Sequence, residues 1–88
     1  MEQVVIFPNE VAKALKDPQD ADHELLLDIG VTLLTMTQKQ QRFLGLYAMG
    51  YTAEEIGDIV EIQNPQVALQ RAIHRVTTLI NLKSGEKK

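Results

Sequence analysis

An all-α fold is predicted for this chain of 88 residues, and three observations carry the prediction. Apolar residues recur at helical spacing from Phe43 to Ile80, helix-start signatures stand at Thr37, Thr52 and Asn64, and the one strand-like stretch, Val4 to Phe7, is short and stopped by Pro8. A chain of this length makes one small domain whose single core is modest and whose stability is slight.

The signals are sparse at first. Asn9 can cap a short helix carrying Val11, Ala14 and Leu15, which Pro18 in "KDPQD" would end. A second helix is expected from Asp20 or Asp22 through Leu26 and Leu27, with a bend near Gly30. These residues either bury the outer face of the later helices or form an acidic arm that docks on a partner or shields the basic end.

From Thr37 the signals become dense. Thr37 and Gln40 have capping-box spacing, and Phe43, Leu44, Leu46, Tyr47 and Ala48 give the following helix an apolar stripe that Gly50 stops. Thr52 and Glu55 repeat the capping box, and Tyr51 with Ile56 stand at the positions of a hydrophobic staple, so three local features agree on one start. That helix carries Ile56, Ile59 and Val60, and Gly57 allows a neighbouring helix to approach closely. Asn64 before Pro65 marks the last start, with a side chain able to cap and a proline at the first helical position. Leu69, Ile73, Val76 and Ile80 then form one stripe, widened by Ala72 and Leu79. The opposite face holds Val67, Gln70, Arg71, His74, Arg75 and Thr78.

Composition narrows the function classes. There is no cysteine, so no disulfide framework, thiolate zinc site or thiol nucleophile, which fits a reducing cytoplasm. The start has no basic region leading into an apolar run, and no apolar stretch is long enough to span a bilayer, so a cytoplasmic protein without membrane partners is expected. His23 and His74 have no spacing that joins them with carboxylates on one helical face, and the Asp20, Asp22, Glu24 alternation lacks the glycine and closing glutamate of a calcium loop. Ser84 is the only serine, and no glycine-rich phosphate loop exists. No enzyme, cofactor or metal is expected.

The formal charge of −3 hides an asymmetry. Residues 1–30 hold seven acids against two lysines, a net of −5, whereas residues 62–88 hold five cations against Glu86, a net of +4. Nucleic acid would sit at the positive end.

Three helices with a short turn "VEIQN" between the last two make a C-terminal helix-turn-helix, whose final helix lies in the major groove. The organisation expected is an acidic N-terminal extension with one or two short helices (1–33), the helix-turn-helix domain (34–83) and a basic tail (84–88). The stretch "LTMTQKQQRFLGLYAMGYTAEEIGDIVEI" with "AIHRV" resembles region four of bacterial sigma factors and the sigma-like regulators of phages and Gram-positive bacteria, from Leu34 to about Leu82. The matching landmarks are Gln40, Phe43 to Tyr47, Gly50 to Ile56, Ile62 and Ile73-His74-Arg75. That resemblance implies a small transcription regulator of phage or prophage type that binds promoter DNA beside RNA polymerase. The stretch "MTQKQQRFLGLY" is also similar to the opening helix of phage terminase small subunits, which recognise a packaging site on phage DNA and carry a long oligomerisation segment for which this chain stops too soon.

Two departures bear on the site. Sigma-like families usually place glycine where this chain has Glu61, so either the turn geometry differs or a negative charge stands beside the reading helix. Aligning through Ile62 puts Val67 at the buried position opening that helix, whereas aligning through Ile73-His74-Arg75 puts Leu69 there; the stripe of Leu69, Ile73, Val76 and Ile80 favours the second.

The residues expected to touch double-stranded DNA are Gln66, Gln70, Arg71, His74 and Arg75, with phosphate contacts from Lys39 and Arg42. Glutamine pairs bidentately with adenine and arginine with guanine, while further cations meet phosphate. About five cations neutralise few phosphates, so an isolated domain binds weakly and loses binding in salt unless it dimerises or a partner such as RNA polymerase or another regulator holds it in place. The competing class is a protein-interaction module, for which the acidic first thirty residues, "VVIF", Glu61, Val67 and Leu69 supply an apolar, partly acidic surface.

Overall fold

The computed structural model describes residues 5–86, with backbone alone for 84–86. Glu2, Val4, Lys87 and Lys88, which entered the charge and strand readings, lie outside the described residues. Within them the chain is all-α: α1 (Pro8–Lys16), a 3-10 turn (Pro18–Asp20), α2 (His23–Leu34), α3 (Gln38–Ala48), α4 (Ala53–Val60) and α5 (Pro65–Glu86), with no strand.

The N-terminal helices differ from expectation in two places. Pro8 opens α1 rather than ending the preceding run, because its fixed φ and missing N–H suit the first helical turn; Phe7 is therefore the N-cap, not Asn9. Asp22 caps α2, its carboxylate accepting the Glu24 N–H, and the helix runs through Gly30 without a break. The leucine-rich sequence around Gly30 outweighs one weak helix former. At the C-terminus, α5 continues into the segment read as a tail, through Glu86.

The middle helices start and stop where their capping residues stand. Thr37 accepts the Gln40 N–H at 3.2 Å, which is one half of a capping box. At Thr52 both halves form: Thr52 Oγ1 accepts the Glu55 N–H at 3.2 Å and Glu55 accepts the Thr52 N–H at 2.9 Å. Gly50, at φ 104°, closes α3, with the Gly50 N–H donating to Tyr47 and the Tyr51 N–H to Leu46.

One core runs through α1, α2, α3 and α5. Val11, Ala14 and Leu15 of α1 and Ile29 of α2 pack with Met36, Leu44, Ala72, Ile73, Val76 and Ile80. Residues 8–34 thus help build the core. Lys16 adds a cation–π contact, its Nζ 4.9 Å from the centroid of the Tyr47 ring. The extended backbone before α1 is tied to the far end of the chain: the Asn81 side chain accepts the Ile6 N–H and donates to the Ile6 carbonyl, both at 2.9 Å. Phe43 of α3 and Ile56 of α4 are buried outside this cluster, while Ile59 of α4 is exposed.

Candidate nucleic-acid interface

The site is built by the way α4 turns into α5. Four residues, 61–64, join the helices. Glu61 ends α4 in the left-handed conformation, φ 56° and ψ 55°, and the N–H groups of Glu61 and Ile62 both donate to the Gly57 carbonyl. This closure normally uses glycine at the Glu61 position. The turn therefore keeps the geometry that glycine would give and adds an exposed carboxylate. Asn64 is also left-handed, at φ 54°, a conformation asparagine tolerates, and its carbonyl accepts the Ala68 N–H that starts α5. Gly57 lets the start of α5 press against α4: a Cβ there would lie 2.7 Å from Pro65 Cγ and 2.8 Å from Pro65 Cβ.

With its start held in this way, α5 buries one side and exposes the other. Ala72, Ile73, Val76 and Ile80 are buried and Leu69 and Leu79 half-buried, whereas Val67 is 46% exposed. The stripe through Leu69 is the packed one. Thr77 is also buried, a position that pattern reading left unassigned, and its hydroxyl donates to the Ile73 carbonyl at 2.8 Å.

The exposed side carries Gln66, Val67, Gln70, Arg71, His74, Arg75 and Thr78. At 100° per residue these span about half the helix circumference, with Gln66 and Gln70 along one edge, Val67 and His74 near the centre, and Arg71 and Arg75 along the other. No acid occurs between Pro65 and Lys83.

Lys39 and Arg71 meet at a surface cleft of 290 Å³. Lys39, Gln40 and Phe43 line it from α3, Ile62 and Gln63 from the turn, and Ala68, Arg71 and Ala72 from α5. Its rim holds two cations and two amides above an apolar floor. Arg42 is exposed on α3 but does not line the cleft. Sequence reasoning missed Gln63 and did not count Gln40 among the contact residues; the missing signal was the packing of α3 beside the turn, which no local pattern encodes. Among the described residues no group of three metal-ligating side chains converges, and no helix is long and apolar enough to cross a membrane.

No family model, curated protein or solved structure matches the chain.

Proposed function

We propose that the chain is a small, non-enzymatic DNA-binding regulator of sigma-region-four-like type, which lays the exposed face of α5 in the major groove of duplex DNA and acts beside RNA polymerase in the cytoplasm. The observation that carries this reading is the acid-free exposed face of α5, where Gln66, Gln70, His74, Arg71 and Arg75 stand together on the first turns of a helix packed by its opposite side. Glutamine and arginine are the side chains that read adenine and guanine edges in the major groove. Lys39, across the cleft from Arg71, adds a phosphate contact at the arginine edge, and Arg42 adds a further one from α3.

The number of cations decides how such a domain works. Four on or beside the face, Lys39, Arg42, Arg71 and Arg75, neutralise few phosphates, so affinity depends on a partner that raises the local concentration of the domain. RNA polymerase fills that role on the sigma-like reading. Titration of the ¹⁵N-labelled protein with a mixed-sequence duplex tests the assignment: amide shifts concentrated at residues 66–75 support it, and shifts confined to α1 and α2 would remove it.

A protein-interaction role is the second reading, favoured by the exposed Glu61 and the exposed Val67 at the head of α5. An exposed apolar side chain and an exposed carboxylate suit a protein surface better than a phosphate backbone. Capture of RNA polymerase by the full chain, lost in Val67→Glu but kept in Arg71→Ala/Arg75→Ala, would establish that reading over the first.

A further inference from the structure

The outer face of α2 carries a pattern that nothing inside the chain accounts for. Leu27, Val31 and Leu34 are 58%, 49% and 79% exposed, and at steps of four and three they share one stripe. Gly30 lies beside them, exposed, in the interior of a helix of 12 residues, and a Cβ there would meet nothing within 4 Å. Glycine is a poor helix former, and no neighbour within the chain needs the space it leaves. The acids of this helix, Glu24 and Asp28, lie to one side, so the stripe itself is uncharged.

We propose that this stripe is the seam of a homodimer in which two copies pack α2 against α2, antiparallel, about a twofold axis beside Gly30 and Val31. The order of the residues identifies the occupant as a second copy. From Leu27 to Leu34 the sequence reads Leu, two residues, Gly, Val, two residues, Leu, which is the same spacing from either end. An antiparallel copy therefore sets Leu27 against Leu34 on both sides of the axis and brings Gly30 level with the partner's Val31, so that the missing Cβ lets the two helices approach closely at the axis. A twofold interface needs this self-complementarity, because one patch must serve both partners. Charge selects the same orientation. Parallel helices would set Glu24 beside Glu24 and Asp28 beside Asp28, whereas antiparallel ones separate each acid from its own copy along the helix axis.

The three side chains expose on the order of 300 Å² per copy, below the roughly 800 Å² per partner of a standard interface. The dimer is accordingly weak and in exchange with monomer, with a dissociation constant on the order of 100 μM. It stands independently of DNA binding, although a pair would present two α5 faces and twice the cations.

Sedimentation velocity of the full chain from about 5 μM to about 1 mM tests the seam, with Gly30→Ala and Leu34→Glu alongside and thermal melts of each. Leu34→Glu changes an exposed side chain and keeps the fold, as its melt checks. The wild type is expected to pass from monomer to dimer across this range and Leu34→Glu to stay monomeric. Gly30→Ala is expected to melt higher, because alanine is the better helix former, yet to associate roughly tenfold or more weakly, because its methyl stands where the two helices approach most closely. A wild type monomeric throughout would overturn the proposal and leave the stripe to a different partner. Association of Leu34→Glu or Gly30→Ala as tight as that of the wild type would overturn it as well.

Discussion

Replacing Glu61 by glycine is expected to stabilise the fold and strengthen DNA binding together. Glu61 holds φ 56° and ψ 55° at the end of α4. A residue with a Cβ gives up about 1–2 kcal/mol in that conformation. Glycine removes this strain but loses more backbone freedom on folding, an offset of about 0.5–1 kcal/mol. The net gain is roughly 0.5–1 kcal/mol, which for a domain of this size raises the melting temperature by roughly 2–8 °C. The carboxylate also lies at the negative end of the α4 dipole, so its removal adds to the gain. Glu61→Gln separates the two causes, since it keeps the strained backbone and removes only the charge. Thermal denaturation of the three proteins in one buffer is the assay. Glycine should melt above glutamine, and glutamine at or above the wild type. A glycine variant no more stable than the glutamine variant would refute the strain account. On DNA the order changes: both variants lose the same charge beside α5 and should bind a duplex more tightly than the wild type, by similar factors.

Three further outcomes follow from the packing. Gly57→Ala should destabilise by about 1–2 kcal/mol, since overpacking against Pro65 costs about 1–3 kcal/mol and improved helix propensity returns up to about 1; Gly45→Ala, with nothing within 4 Å of its Cβ, should stabilise instead, and paired melts would show the opposite signs. Asn81→Ala removes both hydrogen bonds to Ile6 and should cost about 1–2 kcal/mol, with faster hydrogen exchange at the Ile6 amide than at the Leu44 amide as the local signature. Ile56→Val, at a fully buried position that anchors α4, should cost about 0.5–1.5 kcal/mol by chemical denaturation, and a neutral result would mean that α4 is held by the Gly57–Pro65 contact alone.

The parts of this fold that were legible in the sequence are those fixed by neighbours within one helical turn. The starts at Thr37 and Thr52 and the stop at Gly50 fall where their side chains or φ angles demand, because caps and left-handed closures are local events. The buried stripe of α5 was equally legible, since a long helix with one apolar face can pack only one way. Misreadings arose where two local signals competed. Pro8 reads as a stop for the preceding apolar run and as a start for α1, and the helix prevailed; Gly30 reads as a bend until the surrounding leucines are set against it. Long-range features left no local trace. The Asn81 side chain pairs with Ile6 across 75 positions, and the cleft shared by Lys39 and Arg71 exists only because α3 lies beside the turn after α4. The exposed face of α5 was identifiable as the complement of its apolar stripe, but its relation to Gln63 and to Lys39 needed the tertiary arrangement.

Fluorescence anisotropy of a labelled mixed-sequence duplex, titrated with the protein from low to near-physiological salt, tests most directly whether α5 reads DNA. With Lys39, Arg42, Arg71 and Arg75 on phosphates, the logarithm of the binding constant should fall with the logarithm of salt at a slope of about −3 to −4, and Arg71→Ala/Arg75→Ala should reduce that slope by about 2. A duplex that remains free at low salt and high protein concentration, or a double mutant that binds with unchanged affinity and slope, would contradict the assignment of α5 as the DNA-reading helix.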